Sequence, residues 1–269
     1  MPTHQQPRPD PQSRAAGPAA GGPAAAGGTA VVVVAAGSGT RLGLGIPKAL
    51  VPLGGRPLLA HALDGVIASG VATRIVVVLP PGDTELVGVC AGYAPAHPIH
   101  TVTGGASRTA SVRAGLDAAG PGIDHVLVHD AARCLTPGWV FSGVVEALRA
   151  GADAVVPAVP VVDTIKSVVA SASPRIGPEI VAGTHERSTL RAVQTPQGFR
   201  LGRLLAAHAE ASTWEADRAV SVTDDAALME AVGETVYVVP GAPESLKITT
   251  RIDLLLAETL VSNGYEEQS

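Results

Sequence analysis

Apolar runs and helical stripes alternate along most of this chain. Residues 30–36 read AVVVVAA, without polar alternation. Such runs form strands buried on both faces, as in parallel sheets. A glycine-rich stretch, GSGTRLG, follows at once at 37–43. Apolar positions then recur at helical spacing over 57–69, at Leu58, Leu59, Leu63, Val66 and Ile67. The pattern predicts further strands at 74–79, 99–102, 125–129 and 154–159, the first ended by Pro80-Pro81. Helices are predicted between them at 107–119 and 137–150.

Strands that alternate with helices predict an α/β fold, with a mostly parallel sheet and helices on both faces. The alternation breaks at 161–193. Short β-prone pieces there are separated by Ser173-Pro174, Gly177-Pro178 and Gly183. The segment is too long for an ordinary loop, and it predicts a protruding, hairpin-like β-arm. Helical patterning returns at 201–211 and 223–232, followed by a strand at 235–239 and a closing helix at 251–263.

Composition narrows the class. The chain has 269 residues, enough for one domain with an appendage. Residues 1–28 are rich in Pro, Ala, Gly and Gln and are expected to form a disordered tail, leaving 29–263 as the folded domain. No stretch approaches the roughly 18 apolar residues of a membrane span, and the start lacks a signal-peptide pattern. The net charge of −5 does not suggest a nucleic-acid partner, which usually calls for a clustered basic face, although a basic patch can still exist locally. Cys90 and Cys134 lie far apart, and neither a CxxC nor an HExxH pattern occurs. No disulfide framework or protein-built metal site is expected, and the cytoplasm is the expected compartment.

The glycine-rich loop carries the first chemistry. Gly37 and Gly39 can take positive φ and let a phosphate approach the backbone. Successive N–H groups in such a turn point at an anion. Arg41 adds a planar cation, and Lys48 adds a compact one after Pro47. The spacing does not fit GxxxxGK[ST], and Gly43 comes one residue late for a dinucleotide fingerprint. A ligand-free glycine-rich connection would carry the same glycines; Arg41 and Lys48 favour phosphate binding. Asp130 follows the predicted fourth strand at its C-terminal end, where open α/β sheets place ligands, although an Asp there can also cap the next helix. Thr223-Asp224-Asp225 opens a predicted helix, so capping and support of a site both remain open.

Several segments together carry a resemblance. They are Ala35-Ala36-Gly37-Ser38-Gly39-Thr40-Arg41-Leu42-Gly43 with Pro47-Lys48; Gly104-Gly105 with Arg108 and Ser111-Val112; and His129-Asp130-Ala131-Ala132-Arg133. Farther on come Asp163-Thr164-Ile165-Lys166, Thr195-Pro196-Gln197-Gly198-Phe199, Thr223-Asp224-Asp225 and Leu246-Lys247-Ile248-Thr249. In this order the chain resembles the 2-C-methyl-D-erythritol 4-phosphate cytidylyltransferase family over about residues 29–260. The resemblance implies a Rossmann-like domain, a protruding β-arm and a homodimer in which the arms interlock. It implies CTP and a polyol phosphate as substrates and Mg²⁺ as cofactor, in the non-mevalonate route to isoprenoid precursors.

Carried over by motif, Arg41 and Lys48 stabilise the transition state at the α-phosphate. Ala36, Gly37, Gly39, Gly105, Arg108 and Ser111 bind the nucleotide. Asp130, Arg133, Thr164, Arg187 and Lys247 position the acceptor. Arg187 is placed by its distance from Thr195-Pro196-Gln197. Cys134 stands where the family commonly has proline, which bears on the stiffness of the loop after Arg133. Ribitol-5-phosphate cytidylyltransferase and a non-catalytic nucleotide-binding regulator are the competing readings. A dinucleotide-dependent oxidoreductase is disfavoured by the glycine spacing.

Overall fold

The computed structural model describes residues 27–37, 39, 42–93, 96–173, 175, 177–214 and 222–264. Twelve strands and seven α-helices run through these residues. Strand β1 (Gly28–Val34) leads to a small hairpin, β2 (Pro52–Leu53) and β3 (Arg56–Pro57), then α1 (Leu58–Ala68). Next come β4 (Arg74–Leu79), α2 (Thr84–Ala91), β5 (Ile99–Thr103), α3 (Arg108–Asp117) and β6 (Ile123–Asp130). Helix α4 (Gly138–Arg149) and β7 (Ala154–Pro160) precede a separate hairpin of β8 (Lys166–Ala170) and β9 (Glu179–Thr184). The chain closes with β10 (Arg191–Val193), β11 (Gln197–Arg200), α5 (Leu201–Ala211), α6 (Asp225–Ala231), β12 (Val236–Pro240) and α7 (Arg251–Ser262).

The main sheet runs β5, β4, β1, β6, β11, β7, and β10 and β12 also pair with β7. Strands β1, β4, β5 and β6 are mutually parallel, and β12 is parallel to β7. Strand β11 runs antiparallel between β6 and β7. The unbroken valine run has a simple cause. Val31 and Val33 point into one core with Leu58, Leu63, Phe141 and Leu148, from α1 and α4. Ala30 and Val32 point into the other core with Val112 and Leu116 of α3 and Leu204 of α5. Both faces are dry, so no position on β1 calls for a polar residue. Gly115 of α3 lies so close to Val32 and Val78 that an added Cβ would collide with them. That glycine lets the helix settle onto the sheet.

Three elements were not legible in the pattern. Helix α2 buries only Leu86 and Cys90 and is started by the Asp83 side chain, which accepts from Leu86 N at 2.9 Å. Strand β11 is four residues long and owes its form to neighbours on both edges. The β2–β3 hairpin has two residues in each strand. Strand β1 starts at Gly28, two residues before the apolar run; Gly28 N donates to Gly122 O at 2.8 Å. Most of the expected tail, residues 1–26, lies outside the described residues.

Strands β8 and β9 pair only with each other. Among the described residues of 161–193 none is buried. Val162, Val169 and Val181 are more than half exposed. This hairpin is the protruding arm. Among the described residues, no helix is long and apolar enough to cross a membrane.

Candidate active site

The order of strands sets where a ligand can lie. From β1 the chain steps outward through β4 to β5, then returns to place β6 on the other side of β1. Ligands of open α/β sheets bind at such a reversal, beyond the carboxyl ends of the strands. A cleft of about 310 Å³ opens there. Its walls include Ala36, Gly37, Gly39 and Lys48 after β1, Arg108 and Ser111 at the start of α3, Asp130 at the end of β6, and Lys247 and Thr249.

The loop after β1 is closed by its own backbone. Lys48 N donates to Gly37 O at 3.2 Å, and Leu42 N donates to Gly39 O at 3.0 Å. Gly39 has φ +69°, and a Cβ there would press on the Lys48 backbone at 3.1 Å. Glycine is therefore needed both for conformation and for space. Ser38, Thr40 and Arg41 lie outside the described residues, and with them the role expected of Arg41.

Charge alternates across the far wall. Lys247 Nζ donates to Asp130 Oδ2 at 2.6 Å. Arg108 Nη2 lies 3.7 Å from Asp130 Oδ1. On its other side, Arg108 Nη1 donates to Asp225 Oδ2 at 2.8 Å. Burial pushes the pKa of Asp130 up, but Arg108 and Lys247 outweigh it and hold the carboxylate below its ordinary value. Asp130 is therefore ionised at neutral pH. Its backbone is fixed as well: Asp130 N donates to Thr195 Oγ1 at 3.1 Å, and that hydroxyl lies 3.0 Å from His129 Nδ1. Burial lowers the pKa of His129 to about 4, so this histidine is a neutral structural group.

Several expected residues stand apart from the cleft. Gly105 does not line it but donates from its N–H to Ser111 Oγ at 3.1 Å, orienting a residue that does. The Arg133 guanidinium donates to Ser245 O at 2.7 Å and to Val193 O at 3.2 Å, which ties three segments together. Thr164 and Arg187 lie on the arm, both exposed, and Arg187 Nη1 donates to Val162 O at 2.7 Å. Cys134 is buried, and its thiol is pushed up to about 12, so it is un-ionised.

The two aspartates that open α6 divide the readings left open for them. Asp224 is the cap: its Oδ1 accepts from Ala227 N at 2.8 Å. Its Oδ2 accepts from Gln197 Nε2 at 2.7 Å. Asp225 is buried and reaches Arg108 instead. A doubled acid at a helix start was the available signal, because one carboxylate suffices for a cap. Thr249 lines the cleft, and the sequence reading gave it no role of its own.

Known proteins share this whole framework. The family model described as IspD, 2-C-methyl-D-erythritol 4-phosphate cytidylyltransferase, matches residues 29–263. The chain belongs to this family. It is 51% identical over 230 residues to the 2-C-methyl-D-erythritol 4-phosphate cytidylyltransferase of Nocardia farcinica, covering 86% of this chain and 92% of that one. It is 48% identical over 236 residues to the enzyme of the same name from Streptomyces avermitilis, covering 86% and 90%. Among solved structures, the 4-diphosphocytidyl-2C-methyl-D-erythritol synthase of Anaerococcus prevotii superposes with a TM-score of 0.73 at 28% identity, covering 88% of this chain and all of that one. The 2-C-methyl-D-erythritol 4-phosphate cytidylyltransferase of Thermus thermophilus gives 0.69 at 33% identity, with 87% and 99% covered. The family match spans every segment that lines the cleft.

Proposed function

We propose that the protein transfers the cytidylyl group of CTP to 2-C-methyl-D-erythritol 4-phosphate in isoprenoid precursor biosynthesis. The single observation that carries this reading is family membership across residues 29–263, which include the whole cation-lined cleft. An oxygen of the acceptor phosphate forms a bond to the α-phosphorus. The bond from that phosphorus to the bridging oxygen of the β-phosphate breaks, and pyrophosphate leaves with the electron pair. The nucleophile is already anionic at neutral pH, so no general base is required. The barrier is the approach of an anion to a polyanion. Catalysis then rests on positioning and on fixed positive charge.

In this reading Lys48, held beside the glycine loop, stabilises charge developing around the α-phosphate, together with Arg41. Ala36, Gly37, Gly39, Arg108 and Ser111 surround the nucleotide, with Gly105 behind Ser111. Asp130 anchors Lys247, whose remaining N–H donors face the acceptor phosphate. Arg133 acts through the backbone it holds.

A magnesium ion fits this cleft only as a companion of the triphosphate. Among the described residues, no cluster of three His, Cys, Asp or Glu side chains is assembled, and Asp130 is the one carboxylate of the cleft. Mg²⁺ is commonly bound through one or two carboxylates plus substrate phosphates. Asp130 would be its protein ligand, and the ion would neutralise phosphate charge.

The arm supports a homodimer. It carries exposed Val162, Val168, Val169, Ile180 and Val181 without a core of its own, and a twofold partner would cover them. Thr164 and Arg187 would then reach the partner's acceptor site. The free, buried Cys90 and Cys134 suit the reducing cytoplasm. The deciding experiment is pyrophosphate release with CTP against methylerythritol 4-phosphate, ribitol 5-phosphate and no acceptor. Release that depends on methylerythritol 4-phosphate is expected. Preference for ribitol 5-phosphate would overturn the acceptor assignment, and no release with any acceptor would overturn the activity.

A further inference from the structure

Asp225 has no capping duty, since Asp224 performs it. Its side chain is only 3% exposed. Burying a carboxylate costs several kcal/mol unless charge and hydrogen bonds compensate it. Here Arg108 Nη1 donates to Oδ2 at 2.8 Å, and His208 Nε2 lies 3.4 Å from Oδ1. Arg108 itself stands at the first turn of α3, in the wall of the cleft, with its guanidinium between two carboxylates. The contact with Asp225 is a short hydrogen bond, whereas that with Asp130 is 3.7 Å long. Asp225 therefore fixes the guanidinium, and Asp130 is left with Lys247 at 2.6 Å.

We propose that Asp225 is a positioning residue for nucleotide binding, acting through Arg108. This rests on the cytidylyltransferase reading above. Without Asp225, the nearest fixed anion for Arg108 is Asp130. The guanidinium would close onto Asp130 and compete there with Lys247. One cation would leave its place beside the nucleotide, and the pairing of Asp130 with Lys247 would be disturbed. Asp225 prevents this exchange from behind the wall, without touching substrate. Burial pushes its pKa up, but His208 and Arg108 outweigh that and keep it ionised, as the role requires.

The test compares wild type, Asp225→Asn, Asp225→Glu, Arg108→Met and the double variant Arg108→Met/Asp225→Asn. CTP binding, KM for CTP, kcat and Tm are measured for each. Asp225→Asn should raise KM for CTP roughly tenfold or more, with kcat changed by less than about threefold. Asp225→Glu keeps the charge and should recover most of that loss. In the Arg108→Met background, Asp225→Asn should change KM for CTP no further, because the group it positions is gone. A folded Asp225→Asn with lower Tm but wild-type KM would reduce Asp225 to a structural role and overturn the proposal. So would effects of the two substitutions that multiply. Should Asp225→Asn fail to fold, Asp225→Ser, smaller and also uncharged, takes its place and is read against the same KM, kcat and Tm criteria. Wild type that neither binds CTP nor releases pyrophosphate would instead overturn the activity itself.

Discussion

Arg133 donates from Nη1 to the backbone oxygen of Ser245 at 2.7 Å and thereby ties the loop after Asp130 to the segment that carries Lys247. A second bond runs in parallel, from Ile248 N to Ala132 O at 2.9 Å. The ion pair of Asp130 and Lys247 is thus backed by one side-chain tie and one main-chain tie between the segments that carry it. Arg133→Met should lower the unfolding free energy by about 2–4 kcal/mol, since two charged-donor bonds are lost at a half-buried side chain. Urea denaturation measures this. An unchanged midpoint would show that the tie carries no stability.

Lys48→Ala should lower kcat by roughly 100- to 1000-fold, the usual cost of removing one preorganised electrostatic contact. The glycine loop should survive, because the Lys48 N–H that donates to Gly37 O at 3.2 Å is kept in the variant. Circular dichroism and steady-state kinetics check both halves. A rise in KM with kcat intact would mean that Lys48 binds ground state and transition state equally.

His129 should make the fold sensitive to mild acid. Burial lowers its pKa from 6.5 to about 4, so the folded state resists a proton that the unfolded chain accepts. Its neutral form contributes fully to stability above pH 6.5, and that contribution is lost as pH falls from 6.5 towards 4. The loss is on the order of 3 kcal/mol at the acid end. Chemical denaturation at pH 7.5, 5.5 and 4.5 should show the slope. His129→Gln should be less stable at pH 7.5 but flatter over this window; an equal slope in both proteins would assign the acid sensitivity elsewhere.

The proposed dimer has a functional consequence. Lys48→Ala and Arg187→Ala are each expected to be inactive. If the arm serves the partner's site, a mixed dimer collects both defects in one site and none in the other. Random pairing by co-refolding makes roughly half of the dimers mixed, so about a quarter of all sites should regain full activity. Native mass spectrometry confirms that mixed dimers form. Their presence without recovered activity would place Thr164 and Arg187 in service of their own subunit.

Local pattern carried the framework of this molecule. The VVVV run announced a strand dry on both faces, and the leucine stripes announced helices that cover it. Both follow from side-chain periodicity over a few residues. The glycine loop was legible at Gly39, where a positive φ and a close approach demand glycine; Gly37, expected to need the same, has neither a positive φ nor a close neighbour. Tertiary contact decided the rest. Strand β11 exists because β6 and β7 pair with it on both edges. Arg108 meets Asp225, and Asp130 meets Lys247, each across 117 residues of chain. Asp224 and Asp225 are adjacent and chemically identical, yet one caps a helix and the other, itself buried, pairs with a half-buried arginine. Sequence determined that acids and bases were available near these strand and helix ends. Only the fold determined their partners, because charge pairing depends on distance through space and on burial, and neither is written in the order of residues.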